Sequence, residues 1–299
     1  MRKISLQVNE GDTLFGNCWE VDNPIANVII MEGMEEYGAR YDGLATFLNK
    51  KGFNVYALDC YGQGENISDD LSNASFWPKN GFEKQVCAHH AMVEKAKENG
   101  MPTYIFSHSM GSFMCQDFIQ RFPGCVDKVV LCGSGSRNPA VGPGYLLARL
   151  LTNKRTRNKK AKFLSALMFG NFNKKIENKV TDFDWLSYNR ENVRKYLADP
   201  KCGYGPTNGF CLEFIIGLKN LYKKDRLAKI SKDQKIFLIT GAEDPVSNYS
   251  KSTEILLKMY KDLGINDVTS KVYPHARHEI LFEDCKEEVY QDVLDFYLR

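Results

Sequence analysis

Short apolar segments alternate with amphipathic segments along most of the chain. Apolar positions at helical spacing occur over 41–51, 82–99, 111–121, 250–263 and 286–298. Between them lie strand-like runs, which read ISLQV, TLFGNCWEV, NVIIME, FNVYALD, TYIF, VDKVVLCG, KIFLIT and DVTSKVYP. Such alternation predicts an α/β protein with a mostly parallel central sheet flanked by helices.

The alternation stops in the middle of the chain. Residues 137–225 lack strand-like runs, open with the Gly/Pro-rich stretch GSGSRNPAVGPG and are interrupted by ADPKCGYGPTNG. We therefore predict a helical cap over 137–225, inserted into a core that is formed by 1–136 and 226–299.

One strand-to-helix turn carries a candidate nucleophile. The stretch FSHSMGS places Ser109 between the apolar run PTYIF and the helical pattern that starts at Gly111. A serine hydroxyl is a weak nucleophile until a base accepts its proton, so Ser109 needs a histidine and an acid that orients it.

The chain has five histidines, which allows the base to be chosen by elimination. His108 adjoins Ser109 on a tight turn, where neighbouring side chains diverge, and His89 and His90 are expected on the surface or edge of a helix. His275 and His278 lie in YPHARHE, after the last strand pattern, where open α/β sheets place their sites. We favour His278, which is further from the strand and has more freedom to reach over the sheet.

The orienting acid is expected just after an earlier strand. KIFLITGAEDP supplies Glu243 and Asp244, and we favour Asp244 because it precedes Pro245 in a turn. Acyl transfer also needs two donors for the oxyanion. The turn makes the amide of Met110, the residue after Ser109, one of these donors. Gly33 would let the amide of Met34 point inward as the other.

Charge is distributed unevenly. The net charge is +3, but 151–180 contains nine Lys or Arg residues and one acid, Glu177, so this segment carries +8 and the rest of the chain −5. This pattern is typical of a solvated helical face, or of a surface attracted to anionic head groups. Aromatic residues are sparse in this segment, so we expect no nucleic-acid binding.

The cysteines and the N-terminus predict a cytoplasmic location. Nine scattered cysteines form no CxxC pair, and the first residues, MRKISLQVNEGD, lack the apolar stretch of a signal peptide.

Read in order, EGMEEYGARY, DCYGQG, SHSMG, GAEDPVS and YPHARHE resemble the lysophospholipase and monoacylglycerol lipase-like (serine aminopeptidase-like) branch of the α/β-hydrolases. The resemblance spans about residue 29 to the C-terminus. It implies the α/β-hydrolase fold, Ser109 as nucleophile, Asp244 as orienting acid, His278 as general base, and Met34 and Met110 as oxyanion donors. It implies neither a metal nor an organic cofactor.

The chain departs from the branch at three positions. Ser107 stands at the first glycine of the elbow motif G-x-S-x-G, where a small side chain is needed. Glu32 stands where the branch usually has histidine, and its charge would oppose the oxyanion unless Glu32 is protonated or paired with Arg40. Gln63 replaces a histidine that is frequent before the second glycine of the DCYGQG loop.

The sequence thus predicts a serine hydrolase that cleaves carboxylic esters of lipid-like substrates, either lysophospholipids or monoacylglycerols, through an acyl-enzyme. One alternative is an aminopeptidase or amidase, with Glu32, Glu35 and Glu36 holding a substrate amine. Another is a non-catalytic binding protein that retains the fold. The basic segment suggests transient contact between the cap and a membrane surface.

Overall fold

The computed structural model describes residues 1–8 and 11–299. The described chain contains eight strands: β1 Arg2–Gln7, β2 Thr13–Trp19, β3 Ala26–Met31, β4 Phe53–Leu58, β5 Thr103–His108, β6 Lys128–Cys132, β7 Lys235–Gly241 and β8 Val268–Tyr273. The helices are α1 Asp42–Asn49, α2 Gly81–Lys97, α3 Met110–Arg121, α4 Val141–Leu151, α5 Lys162–Phe169, α6 Arg190–Ala198, α7 Asn208–Leu221, α8 Lys224–Leu227, α9 Lys251–Asp262 and α10 Lys286–Leu298.

All eight strands form one sheet in the order β1-β2-β4-β3-β5-β6-β7-β8. Pairing is antiparallel between β1 and β2 and between β2 and β4, and parallel from β4 to β8. The predicted fold class, a mostly parallel sheet with helices on both faces, is confirmed. The five helices predicted in the core occur, and their ends differ from the predicted ends by at most two residues.

The central strands are buried on both faces, which explains their unbroken apolar runs. In β3, Val28 and Ile30 pack with α1 and α10, whereas Ile29 and Met31 pack with α2, α3 and α9. Parallel strands covered by helices on both sides lose the alternation of apolar and polar residues.

Between β6 and β7 the chain forms α4 to α8, with an isolated bridge between Lys160 and Thr207. The inner sides of α4 and α5 pack on α7 in a small apolar cluster that includes Ala148, Leu164 and Ile215. No helix in the described part of the chain is long and apolar enough to span a membrane.

Gly111 sets how closely α3 approaches the sheet. A Cβ atom built on Gly111 would lie 2.0 Å from the carbonyl oxygen of Met31 and 2.7 Å from that of Glu32. Both contacts are with backbone, which cannot move aside as a flexible side chain can.

We expect Gly111→Ala to lower the free energy of unfolding by about 1–3 kcal/mol or more, because the added methyl overpacks a rigid crossing. The measurement is urea unfolding followed by circular dichroism. Gly142→Ala is the control, because its added Cβ would meet nothing within 4 Å. A Gly111→Ala protein as stable as wild type would show that the crossing of α3 over β3 has room for a methyl group.

Candidate active site

Ser109 occupies a one-residue turn between β5 and α3. Its backbone has φ 50° and ψ −117°, a conformation that residues other than glycine rarely adopt. Its amide donates to the carbonyl of Cys132 at 2.9 Å, and its own carbonyl accepts from the Ser112 hydroxyl at 2.6 Å. The fold therefore holds Ser109 in a strained turn at the C-terminal edge of the sheet.

A buried hydrogen bond explains why serine is tolerated at position 107. The Ser107 side chain is fully buried, and its hydroxyl donates to the carbonyl of Val130 on the adjacent strand at 2.6 Å. The position needs a small residue, and a serine satisfies its own hydroxyl there.

Asp244 and His278 meet beside this turn. The Nδ1 atom of His278 lies 2.9 Å from Oδ1 of Asp244, and both side chains are buried. Asp244 is held in turn by the amide of Val246 at 2.8 Å and the hydroxyl of Thr240 at 3.0 Å. Such a pair fixes the orientation and the tautomer of the imidazole.

The alternative acid and the alternative histidine are not part of this buried pair. Glu243 is exposed and accepts a hydrogen bond from the hydroxyl of Tyr188. His275 is exposed as well, with φ 50°. The acid and the histidine that the sequence favoured are thus paired and buried, whereas Glu243 and His275, which it ranked second, are exposed.

The second ring nitrogen of His278 is available for proton transfer. Within the described residues Nε2 has no hydrogen-bond partner. The His278 ring lies 4.6 Å, centroid to centroid, from the ring of His108, the residue that precedes Ser109. Burial alone would lower the pKa of His278, but Asp244, together with the more distant carboxylates of Glu279 and Glu36, raises the pKa above its usual value.

His108 contributes packing to the site. Burial and the positive charge that develops on His278 hold the pKa of His108 well below its usual value. With its lowered pKa, His108 is a weaker proton acceptor than His278, whose pKa is raised.

The expectation that His89 lies on the surface or edge of its helix is wrong. His89 is fully buried, near Gln85 at 3.4 Å, and burial lowers its pKa to about 3. The face of α2 that carries these two polar residues is turned into the core, which their polarity did not indicate. His90, the next residue, is partly exposed.

The loop after β3 lies against Ser109. A Cβ atom built on Gly33 would be 3.3 Å from Cβ of Ser109. The amide of Gly33 donates to Glu36 at 2.8 Å and that of Glu35 to Gln63 at 2.8 Å, whereas no hydrogen bond in the described chain uses the Met34 amide between them. The Met110 amide opens α3, so both predicted donors stand at the edge of the sheet that carries Ser109.

Glu32 is fully buried just after β3. Burial, and next the nearby Asp59, raise the pKa of Glu32 to about 8, so at neutral pH it is protonated. The suggested pairing with Arg40 is wrong, because Arg40 binds Glu36 at 2.5 Å and Glu279 at 2.8 Å instead. Two other carboxylates compete for Arg40, and one of them comes from a distant part of the chain.

The segment between β6 and β7, residues 133–234, is here called the insert, and it contributes a residue that no sequence pattern indicated. The ring of Trp185 lies 5.2 Å from that of His278 and covers it. The Glu283 carboxylate fixes this part of the insert, accepting from the amide of Tyr188 at 2.9 Å, the hydroxyl of Ser187 at 2.8 Å and the amide of Arg277 at 3.0 Å. No local sequence signal marks Trp185, because the contact joins two segments 93 positions apart.

One group of potential metal ligands lies in the described chain, away from this site: His90, Glu94 and Cys125. The Lys97 ammonium sits against it, 3.1 Å from Glu94 and 3.3 Å from the Cys125 sulfur. The Lys97 ammonium thus already occupies the position that a metal ion would take between Glu94 and Cys125.

A family profile described as "Serine aminopeptidase, S33" matches residues 22–285. The chain belongs to this family of α/β-hydrolases. It is 26% identical to a monoacylglycerol lipase of Mycolicibacterium smegmatis over 93% of this chain and 90% of the relative. It is 27% identical to lysophospholipase L2 of Escherichia coli K12 over 91% of this chain and 80% of the relative. A carboxyl esterase from Bacillus coagulans, 24% identical, superposes with a TM-score of 0.90 over 99% of this chain and 97% of the esterase.

The family and the relatives confirm the resemblance read from the sequence. The chain is therefore a member of the lysophospholipase and monoacylglycerol lipase-like branch of the α/β-hydrolases.

We expect His278→Ala to reduce kcat/KM by at least about 10³-fold, because His278 is the histidine that Asp244 orients beside the Ser109 turn. His275→Ala is the matched control, and a surface change of this kind should leave kcat/KM within about threefold of wild type. Ester hydrolysis measured on both purified variants decides the assignment. Loss of activity in His275→Ala alone would show that the wrong histidine had been chosen.

Proposed function

We propose that the protein is a serine ester hydrolase that acts on lipid-like esters, either monoacylglycerols or lysophospholipids. The observation that carries the proposal is the buried His278–Asp244 pair beside the strained Ser109 turn. The names of the full-length relatives, monoacylglycerol lipase and lysophospholipase L2, support this substrate class.

The proposed reaction uses these residues as follows. The Ser109 hydroxyl attacks the ester carbonyl while Nε2 of His278 accepts its proton, and the amides of Met34 and Met110 bind the oxyanion. Collapse expels the alcohol, which takes the proton back from His278. Water, deprotonated by His278, then attacks the acyl-enzyme and releases the carboxylic acid and Ser109.

The acidic loop residues argue against the aminopeptidase alternative. Glu32 and Glu36 are buried and bound to protein groups, and Oε2 of Glu35 accepts from the amide of Gly205 in the insert at 3.1 Å. A substrate ammonium needs an accessible carboxylate, and these three carboxylates already have protein partners.

We expect wild-type protein to hydrolyse p-nitrophenyl esters, a monoacylglycerol and a lysophospholipid, with Ser109→Ala losing at least about 10³-fold in kcat/KM. A fluorophosphonate probe should label the wild type and leave Ser109→Ala unlabelled. A prolyl-arylamide in the same series tests the alternative. Turnover of the arylamide alone would indicate a peptidase. Absence of both turnover and labelling would indicate a binding protein.

We further propose that the outer face of α4 and α5 contacts anionic membranes. Leu146 and Leu150 on α4 and Phe163 and Leu167 on α5 are 58–80% exposed, although the opposite sides of both helices pack on α7. Exposed basic residues lie between and beside these helices: Lys154, Arg155, Lys159 and Lys162. Apolar side chains flanked by cations fit the boundary between anionic head groups and acyl chains.

We expect the protein to sediment with vesicles that contain phosphatidylglycerol, and much less with pure phosphatidylcholine vesicles. Replacing Lys154, Arg155 and Lys159 by Glu should abolish the difference, because each basic residue near an anionic surface contributes about 1 kcal/mol. Lys50→Glu/Lys261→Glu, which changes exposed charges outside the insert, serves as control. Equal sedimentation of all variants would exclude this face as the contact.

A further inference from the structure

Two of the positions at which the chain departs from its branch lie side by side. Oε1 of Glu32 accepts from the amide of Cys60 at 2.6 Å and, at 3.3 Å, shares the two N–H groups of the Gln63 side chain with two loop carbonyls. Both side chains are completely buried. The two substitutions therefore form one contact, although 31 positions separate them in the chain.

Gln63 ties the loop after β3 in place through its amide group. Its nitrogen donates to the carbonyl of Gly33 at 2.9 Å and to that of Glu36 at 3.2 Å, and its oxygen accepts from the amide of Glu35 at 2.8 Å. These three bonds surround Met34 on both sides. The direction of the Met34 amide is thus set by a side chain that does not itself touch the reacting atoms.

Glu32 completes this arrangement only as a neutral acid. Its Oε1 atom is an acceptor for two donors in either protonation state, but Oε2 has no partner within the described residues. A full negative charge would then be buried, without a cation, at the base of the loop that must bind an oxyanion.

The titratable and charged groups around Glu32 come from three elements. Asp59 and Cys60 follow β4, Tyr204 comes from the insert, and Glu35, Glu36, Arg40 and Tyr41 belong to the segment between β3 and α1. Arg40 is occupied by Glu36 and Glu279, and burial raises the pKa of Cys60, Tyr41 and Tyr204 well above their usual values. Asp59, with a pKa raised to about 7 by burial, adds negative charge before Glu32 ionises.

We propose that Glu32, as an uncharged carboxylic acid, and Gln63 act together as positioning residues that hold the Met34 amide in the oxyanion site, and that loss of the Glu32 proton switches the enzyme off at alkaline pH. The inference rests on the proposed hydrolase function and adds to it an internal pH limit.

The sign of the effect on folding follows from proton linkage. The pKa of Glu32 is about 8 in the folded protein and near 4.5 when unfolded, so between these values the folded state holds the extra proton. Stability from this group is greatest below pH 4.5 and falls as the pH rises through 8. A neutral glutamine at position 32 removes this loss.

The test compares wild type with Glu32→Gln between pH 5.5 and 9.5. Hydrolysis of monobutyrin, with butyrate quantified by chromatography, avoids a chromophore that titrates in this range. We expect the wild-type kcat to fall about tenfold above pH 8, whereas Glu32→Gln keeps its kcat there. In both proteins kcat should fall in the same way at acid pH, where His278 becomes protonated. The melting temperature of Glu32→Gln should rise relative to that of wild type as the pH increases.

Glu35→Gln is the matched control, because Glu35 is the next acid along the loop and is also buried with a pKa raised to about 7. It should retain the wild-type alkaline limb. Gln63→Ala tests the positioning role, and we expect kcat to fall 10- to 100-fold with little change in KM.

An unchanged alkaline limb in Glu32→Gln would overturn the inference, and so would a Glu32→Gln protein that fails to fold, since a neutral isostere must be able to replace a neutral acid. A Gln63→Ala protein with wild-type kcat would overturn the positioning role. Turnover that does not depend on Ser109 would instead overturn the proposed function itself, so the two failures are distinguishable.

Discussion

The site depends on the one-residue connection between β5 and α3. The strand ends at His108, the helix begins at Met110, and Ser109 has to adopt a positive φ between them. Because Gly111 lets α3 lie directly over the end of β3, the loop after β3 is brought against Ser109. A single close crossing therefore determines where the hydroxyl, the Met110 amide and the loop that carries Met34 stand relative to one another.

Buried carboxyl groups surround this connection, and they are kept compatible with a developing negative charge in different ways. Asp244 is paired with His278, and Glu36 and Glu279 share Arg40. Glu32 contacts no cation among the described residues, and burial raises its pKa so that it retains a proton to higher pH than an ordinary carboxyl group. Pairing with a cation or retention of a proton thereby limits the negative charge at this acid-rich site, which suits a reaction whose transition state is an oxyanion.

The sequence predicts those features that depend on neighbouring residues or on the order of short motifs along the chain. Apolar runs predicted the strands, helical spacing predicted the core helices, and short motifs in a fixed order indicated Ser109, Asp244 and His278. Contacts between distant segments were beyond such reasoning. Arg40 binds Glu279, 239 positions away, rather than Glu32, and Trp185 reaches His278 from the insert. His89 was misplaced because a polar residue on a helix gives no sign that its face is buried.

The insert is anchored to the core at both ends, and this bears on how the site is covered. Its second half, around Ser187 and Tyr188, is fixed by hydrogen bonds to the buried Glu283, and separating them would leave polar groups unsatisfied. In its first half, the Arg157 guanidinium donates to the carbonyl of Pro78 in the core at 2.9 Å, and α4 and α5 pack on α7. Because both halves would lose polar contacts on lifting, the insert holds the Trp185 ring over the histidine as a fixed wall of the site.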